Sequence, residues 1–312
     1  MTTEKHIWGL LLFFVSLFIL TSFSRGMCAV SIKDDAGNQI TLPHAAKRVV
    51  SLYGGITEIL CAIGGLDKLV GVTKRDSWPP AVKEKPKIGT HMRPNLELIL
   101  GLKPDLVIQG STRPGSQLVV EKLKEFGIKV AVFNPYSFSS LYSVIERISL
   151  LCGLERNGKK LVSDMKRTIL ELERRYPIMD HPKVIFEVSY PSLLFAGGRN
   201  MVNDIIDKAG GVNVIKKDKK FVRYGLEQIL VDNPDVYIIQ KGPMNRSIIP
   251  PAKRPGFHGI RAIRQGHVLY VDEFMFSRPG PRCVKAVETL RRYLYEISND
   301  SRNKSISTHS GD

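Results

Sequence analysis

The chemistry-bearing residues of this chain do not assemble into a recognisable catalytic set. No Ser/His/Asp combination carries a nucleophile signature, and no His-x-x-x-His pair offers metal-ligand spacing. Gly54-Gly55 stands before a helix-like stretch and could favour an anionic group there. The phosphate-loop pattern Gly-x-x-x-x-Gly-Lys-Ser/Thr is nevertheless absent, and so is Gly-x-Gly-x-x-Gly. Cys28, Cys61, Cys152 and Cys283 are widely scattered, with no Cys-x-x-Cys pair; Cys61 and Cys152 sit in apolar runs and read as small buried hydrophobes. What the sequence offers instead is a matched pair of carboxylates. Residues 96–108 and 226–238 share Leu, Glu, Ile, Leu, Pro, Asp and Ile, each pair 130 residues apart (227 − 97). A period that long is not a solenoid unit. It points to two lobes of similar design, each carrying one equivalent glutamate, Glu97 and Glu227.

The elements that must position these residues follow an α/β plan. Val30–Lys33 and Gln39–Leu42 alternate apolar and polar around the turn Asp35–Asn38 and predict a hairpin. Strand runs at Arg48–Tyr53, Val70–Thr73, Leu106–Gln109 and Lys129–Phe133 alternate with helical stretches at Thr57–Ile63, 95–102 and Ser116–Phe126, which implies βαβ units and a mainly parallel sheet. From Ser140 to Tyr176 there is no proline. Leu161, Met165, Ile169, Leu172 and Tyr176 form one apolar stripe of a long helix whose outer face is dense in Lys, Arg and Glu. The alternation then restarts with Lys183–Val188, Met201–Ala209, the second repeat, His267–Val271 and a final amphipathic helix Arg282–Ile297. The domains are therefore residues 30–139, a linking helical region 140–177, a second lobe 178–297, and a polar tail 298–312 expected to be disordered.

Of the 312 residues, 43% are apolar and 24% charged, which is globular composition. The formal charge of +16 favours anionic partners without choosing among nucleic acid, lipid or a small acidic ligand. The N-terminus narrows that choice. Lys5, an uncharged run from Ile7 to Phe23 and then Ser24-Arg25-Gly26 read as a secretory signal cleaved within Gly26–Ala29, so 1–29 is set apart as a signal peptide. An exported protein does not normally meet genomic DNA, and a nucleic-acid partner is set aside. Cys28 raises lipidation, but Arg25-Gly26-Met27 departs from the usual Leu-small-small pattern before a lipidated cysteine. The expected location is the periplasm, with an uncleaved membrane anchor or lipidation at Cys28 as the lesser readings.

With these residues in place, the chain from about 47 to 295 resembles the periplasmic substrate-binding proteins of ABC importers for vitamin B12, ferric siderophores and heme. The likeness rests on Val49-Val-Ser-Leu with Thr57-Glu58, on Gly89–Ile108 with Asn95-Leu-Glu and Lys103-Pro-Asp, on Phe221–Ile239, and on Ser277-Arg-Pro-Gly-Pro-Arg282. The resemblance implies two α/β lobes with central, mainly parallel sheets, joined by one long rigid helix, with the ligand in the cleft between them. It also implies a non-enzymatic receptor without a resident cofactor, acting as a monomer with a permease dimer and its cytoplasmic ATPase. One glutamate on each lobe would dock onto permease arginines, and the matching positions are Glu97 and Glu227. The residues agree: Leu96, Ile99 and Leu100, like Leu226, Ile229 and Leu230, take the inward stripe and leave both glutamates outside. A solvated helix charge is the alternative for either one alone.

Ligand contacts belong on loops at the strand C-termini, where open α/β sheets form crevices. Tyr53, Trp78, His91 and Arg93 are candidates in the first lobe; Tyr190, Arg223, Tyr224, Phe276 and Arg278 in the second. Aromatic faces would cover a flat macrocycle or siderophore, and arginines would pair ligand carboxylates or phosphates. Structural alternatives stand beside them: Trp78 closes a loop before Pro79-Pro80, Tyr190 packs at a strand end, and Arg278 and Arg282 tie the Pro-Gly loop to the lobe interface. His91 and Tyr190 could ligate heme iron, although a solitary loop histidine more often does not, and no metal site is assigned. Corrinoid ranks first as cargo, ferric siderophore close behind and heme third. Two other classes stand beside the receptor. A metallocofactor enzyme on a similar two-lobed fold would need clustered cysteines, and a membrane-surface scaffold would rest on positive charge alone.

Overall fold

The computed structural model describes residues 29–110 and 114–309. Apart from Ala29, the segment read as a signal peptide, with Cys28, lies outside them. Strands β1 (Val30–Lys33) and β2 (Gln39–Leu42) form the expected antiparallel hairpin. Its turn is tied by Asp34, whose carboxylate accepts from the backbone N–H groups of Ala36 and Asn38 at 3.0 and 2.7 Å.

The first lobe continues with β3 (Val49–Ser51), α1 (Gly54–Ala62), β4 (Leu69–Gly71), a small hairpin of β5 (Gly89–Thr90) and β6 (Arg93–Pro94), α2 (Leu96–Gly101), β7 (Leu106–Gly110), α3 (Pro114–Glu125) and β8 (Lys129–Phe133). Its sheet runs β4-β3-β7-β8 and every pairing is parallel. All five residues of β7 are buried, as a strand covered by helices on both faces must be.

The second lobe holds β9 (Lys183–Ser189), β10 (Leu194–Ala196), α6 (Met201–Lys208), β11 (Val212–Asn213), β12 (Phe221–Arg223), α7 (Leu226–Asp232), β13 (Val236–Lys241), α8 (Arg261–Arg264), β14 (Val268–Asp272), α9 (Glu273–Phe276) and α10 (Cys283–His309); α4 and α5 precede it and are described next. The sheet order is β12-β10-β9-β13-β14. Strands β9, β13 and β14 run parallel, whereas β10 is antiparallel to both β9 and β12.

Two expectations change. The linking region is two helices, α4 (Phe138–Leu151) and α5 (Glu155–Arg175), not the one long helix expected between the lobes. Ser137 caps α4 through a reciprocal box with Ser140, so the helix starts earlier. Gly153, at φ +65°, adopts the left-handed turn that separates the two. Within α5 the stripe is as read: Met165, Ile169 and Leu172 are buried, while Lys160 and Arg167 pair outside with Asp164. The polar tail is the second change. Helix α10 runs on to His309, and no glycine or proline interrupts the sequence from Cys283 to that point.

The repeat proves to be one structural unit used twice. Helices α2 and α7 carry the glutamates, and Lys103 and Asn233 follow at φ +46° and +44°. The aspartates after the prolines do the same work. Asp105 accepts from the backbone N–H groups of Lys47 and Arg48 at the entry to β3, and Asp235 accepts from Lys183 N–H at the entry to β9. Each satisfies backbone donors at the end of a neighbouring parallel strand. One cluster of buried side chains then spans both lobes, from Ile56, Ile108 and Phe133 through Ile148 and Ile169 to Phe186, Ile205 and Val287.

Candidate ligand-binding cleft

A cavity of about 280 Å³ opens between the lobes. The first lobe contributes Tyr53 and Gly54 at the start of α1, Thr73 and Arg75 after β4, His91 and Met92 in the β5–β6 turn, Gly110 at the end of β7, and Phe133 with Asn134-Pro135 after β8. The second contributes Lys220 and Phe221, Pro243, Met244 and Arg246, and the run from Glu273 to Pro279. The first-lobe residues cluster at strand C-termini, where a parallel sheet opens a crevice.

Local packing fixes the wall. Tyr53 precedes α1, and its ring lies over Gly110, where a Cβ would stand 2.5 Å from it. The His91 ring meets Tyr53 edge-on, centroids 6.1 Å apart. Arg75 rides on a turn held by buried Asp76, which accepts from the hydroxyls of Thr57 and Thr73, both at 2.7 Å. Lys220 ends a loop whose carbonyls are fastened to the bend that follows β10: Gly198 N–H reaches the Lys217 oxygen at 2.8 Å, and Asn200 Nδ2 the Lys220 oxygen at 2.8 Å. Glu273 is buried and accepts from Met244 N–H at 2.8 Å. Burial pushes its carboxyl above the usual glutamate value, opposed by that N–H bond and by Arg278 and Arg75.

The loop after α9 closes the back of the cleft against the other lobe. Arg282 donates to both oxygens of Glu58, Nε at 2.9 Å and Nη2 at 2.6 Å, with Arg278 Nη1 4.0 Å from the same carboxylate. Glu58 is 4% exposed. Burial raises its pKa, and the Arg282 hydrogen bond and charge hold it down. Contact continues through the glycines. A Cβ at Gly55 would stand 2.1 Å from the Pro279 carbonyl oxygen, and one at Gly54 2.2 Å from Arg278 Nη1. Arg282 thus ties the lobes together, as one alternative held, whereas Arg278 both faces the cavity and packs its guanidinium 4.1 Å over the Phe274 ring.

Of the nine candidate ligand residues, the fold brings Tyr53, His91 and Arg278 to the cavity. Trp78 is 48% exposed and sits under the Arg282 guanidinium. Arg93 and Arg223 are exposed away from the cavity lining. Tyr190 packs against Phe257 with the Arg254 guanidinium 4.0 Å over its ring, which matches the strand-end alternative. Tyr224 donates its hydroxyl to Asp232, and burial with that partner pushes its pKa up to about 12. Phe276 is fully buried and stacks on Phe186, so the ring that reaches the cleft is Phe274. A signal for this was present. Asp272 caps α9 by accepting from Met275 N–H, and one helical turn then turns Glu273 and Phe276 inward together. Arg75, Lys220, Met244 and Arg246 lie on loops whose sequence carries no periodic signal, and Phe221 opens the three-residue edge strand β12.

The family model described as periplasmic binding protein matches residues 49–274. The chain belongs to the periplasmic binding protein family. It is 34% identical over 269 residues to the uncharacterized ABC transporter substrate-binding lipoprotein YvrC of Bacillus subtilis, covering 84% of each chain. It is 26% identical to the vitamin B12-binding protein of Vibrio parahaemolyticus, over 77% of this chain and 86% of that one. Among solved structures, the apo form of the periplasmic heme-binding protein RhuT from Roseiflexus sp. RS-1 superposes with a TM-score of 0.70 at 27% identity, over 81% of this chain and 99% of that one. As a member of this family the chain is an extracytoplasmic substrate-binding receptor of an ABC importer, working with a permease and its ATPase, and is not an enzyme. Among the described residues no helix is long and apolar enough to cross a membrane.

Proposed function

We propose that this periplasmic binding protein captures a bulky metal chelate in the interlobe cleft and delivers it to its permease through Glu97 and Glu227. The observation that carries the cargo reading is the composition of the cavity wall. Tyr53, His91, Phe221 and Phe274 bring four part-exposed rings from both lobes to one cavity, as a flat macrocycle or chelate requires, with Phe133 packed behind them. Pockets of drug-sized ligands run to about 300–1,000 Å³. At about 280 Å³ the cleft takes part of a large chelate and leaves the rest at its mouth. Relatives that bind vitamin B12 and heme support corrinoid, heme and ferric siderophore as the candidates. Glu97 and Glu227 are exposed at equivalent positions of α2 and α7, which supports docking by both lobes of a single receptor molecule.

The exported receptor is titrated calorimetrically with cyanocobalamin, hemin and ferric siderophores. Saturable one-to-one binding of at least one is expected, and binding of none refutes the reading. The mature chain begins near residue 30 and acts as a soluble periplasmic protein. The lipoprotein relative supports a second reading, anchoring at Cys28. The intact mass of protein recovered from the cell envelope separates the two.

A further inference from the structure

The cavity is charged as well as aromatic, and its charge is one-sided. Arg75, Lys220, Arg246 and Arg278 line it against a single carboxylate, Glu273. Arg75 and Arg246 are exposed and make no ion pair or hydrogen bond among the described residues. Other arginines of this basic chain are engaged: Arg147 with Asp35, Arg254 with Glu187, Arg261 with Asp235. The excess of cations continues along the chain. Lys216, Lys217 and Lys219, interrupted only by Asp218, are exposed and lead directly to Lys220 on the cavity wall. This loop is built, not slack. Gly197, Gly198 and Arg199 donate to the carbonyls of Lys220, Lys217 and Lys219, and a Cβ at Gly197 would stand 2.2 Å from the Lys219 oxygen. With its backbone bound inward, the loop leaves Lys216, Lys217 and Lys219 exposed, the Lys217 ammonium lying 5.9 Å from the Tyr224 ring centroid.

From this distribution we infer that the cargo is a multiply charged anion, and that the Lys216–Lys219 loop steers it into the cleft while Arg75 and Arg246 hold it. The inference rests on the receptor reading above and deepens it. Like charges along a low-dielectric cleft focus the field and raise the local concentration of an oppositely charged ligand, which speeds association by roughly 10–10³-fold at low salt. Unpaired guanidiniums at the wall offer bidentate bonds to carboxylate or phenolate oxygens. A neutral corrinoid would use neither, so the corrinoid-first ranking drawn from sequence is reversed in favour of an anionic chelate.

Stopped-flow and calorimetric binding to the exported receptor tests this with three probes: cyanocobalamin, hemin with its two carboxylates, and a ferric tris-catecholate. At least one anion is expected to bind more tightly than cyanocobalamin, with an on-rate that falls as salt is raised. Replacing Lys216, Lys217 and Lys219 together by Gln should slow that on-rate about tenfold with little change in off-rate. Arg75→Ala with Arg246→Ala should instead speed release. Cyanocobalamin binding at least as tightly as the tighter of the two anions overturns the inference but leaves the receptor reading standing. An on-rate unchanged in the lysine variant overturns the steering loop. Binding of none of the three overturns both, and circular dichroism of each variant confirms that the fold is intact.

Discussion

Replacing Arg282 by Met tests the tie between the lobes. The substitution keeps an apolar stem beside Trp78 and removes both bonds to Glu58, leaving a nearly buried carboxylate with Arg278 4.0 Å away as its nearest cation. Removing one partner of a buried pair costs about 3–5 kcal/mol, chiefly because the other charge stays behind. Here the Arg282 side chain is 24% exposed and Arg278 remains, so the low end, about 3 kcal/mol, is expected at pH 7. Adding Glu58→Gln removes the stranded charge and should restore roughly half of that loss. The pH dependence supplies a second check. Burial already raises the Glu58 pKa, and Arg282 is the main influence lowering it, so the variant raises it further. A carboxyl with a raised folded-state pKa adds stability below its unfolded value, about 4.3, and loses it as pH climbs through the folded value. The deficit of Arg282→Met should therefore shrink as pH falls toward about 4.5. Urea unfolding followed by circular dichroism at both pH values measures each quantity. A loss below about 1 kcal/mol at pH 7, or a deficit that grows on acidification, would refute the role assigned to this pair.

Further outcomes are expected elsewhere. Gly110→Ala forces the Tyr53 ring off a position 2.5 Å from the new methyl, and chelate affinity measured by calorimetry should fall about tenfold, a loss on the scale of an overpacked contact. Burial pushes the thiols of Cys152 and Cys283 up to about 12 and that of Cys61 to about 11. Native protein at pH 7 should then react with a disulfide reagent only on unfolding, and rapid labelling of the folded chain counts against this. Glu97→Ala with Glu227→Ala should slow permease association, each exposed pair contributing about 0.2–1 kcal/mol. An unchanged transport rate removes docking from these residues.

What could be read from the sequence divides by the kind of signal. The strands that bury both faces, such as Leu106–Gly110, and the α5 stripe of Met165, Ile169 and Leu172 announce themselves by run and period. The repeat was legible because two copies carry the same Pro-Asp turn, and the bonds of Asp105 and Asp235 explain why that turn needs those residues. The cleft was harder. Tyr53, His91 and Arg278 follow from strand ends and from the Pro-Gly loop. Arg75, Lys220 and Arg246 lie on irregular loops where the backbone, not periodicity, sets direction. Phe276 and Phe274 differ by two positions, and within one helical turn that separates the core from the cleft. The run Lys216-Lys217-Asp218-Lys219-Lys220 is plain in the sequence, but only the fold shows that Gly197–Asn200 clamp its backbone and that Lys220 reaches the cavity wall.

The buried cluster that passes from Ile108 through Ile169 to Phe186 has a mechanical consequence. Neither half can melt while the other stays folded without exposing its share of one common interior. Heat should unfold the chain in a single cooperative step, and either half expressed alone should aggregate. Cargo therefore cannot leave by local unfolding of one side. Emptying the cleft faster than cargo leaves unaided calls for work done from outside on two stiff bodies, and the transporter's nucleotide cycle is the source able to supply it.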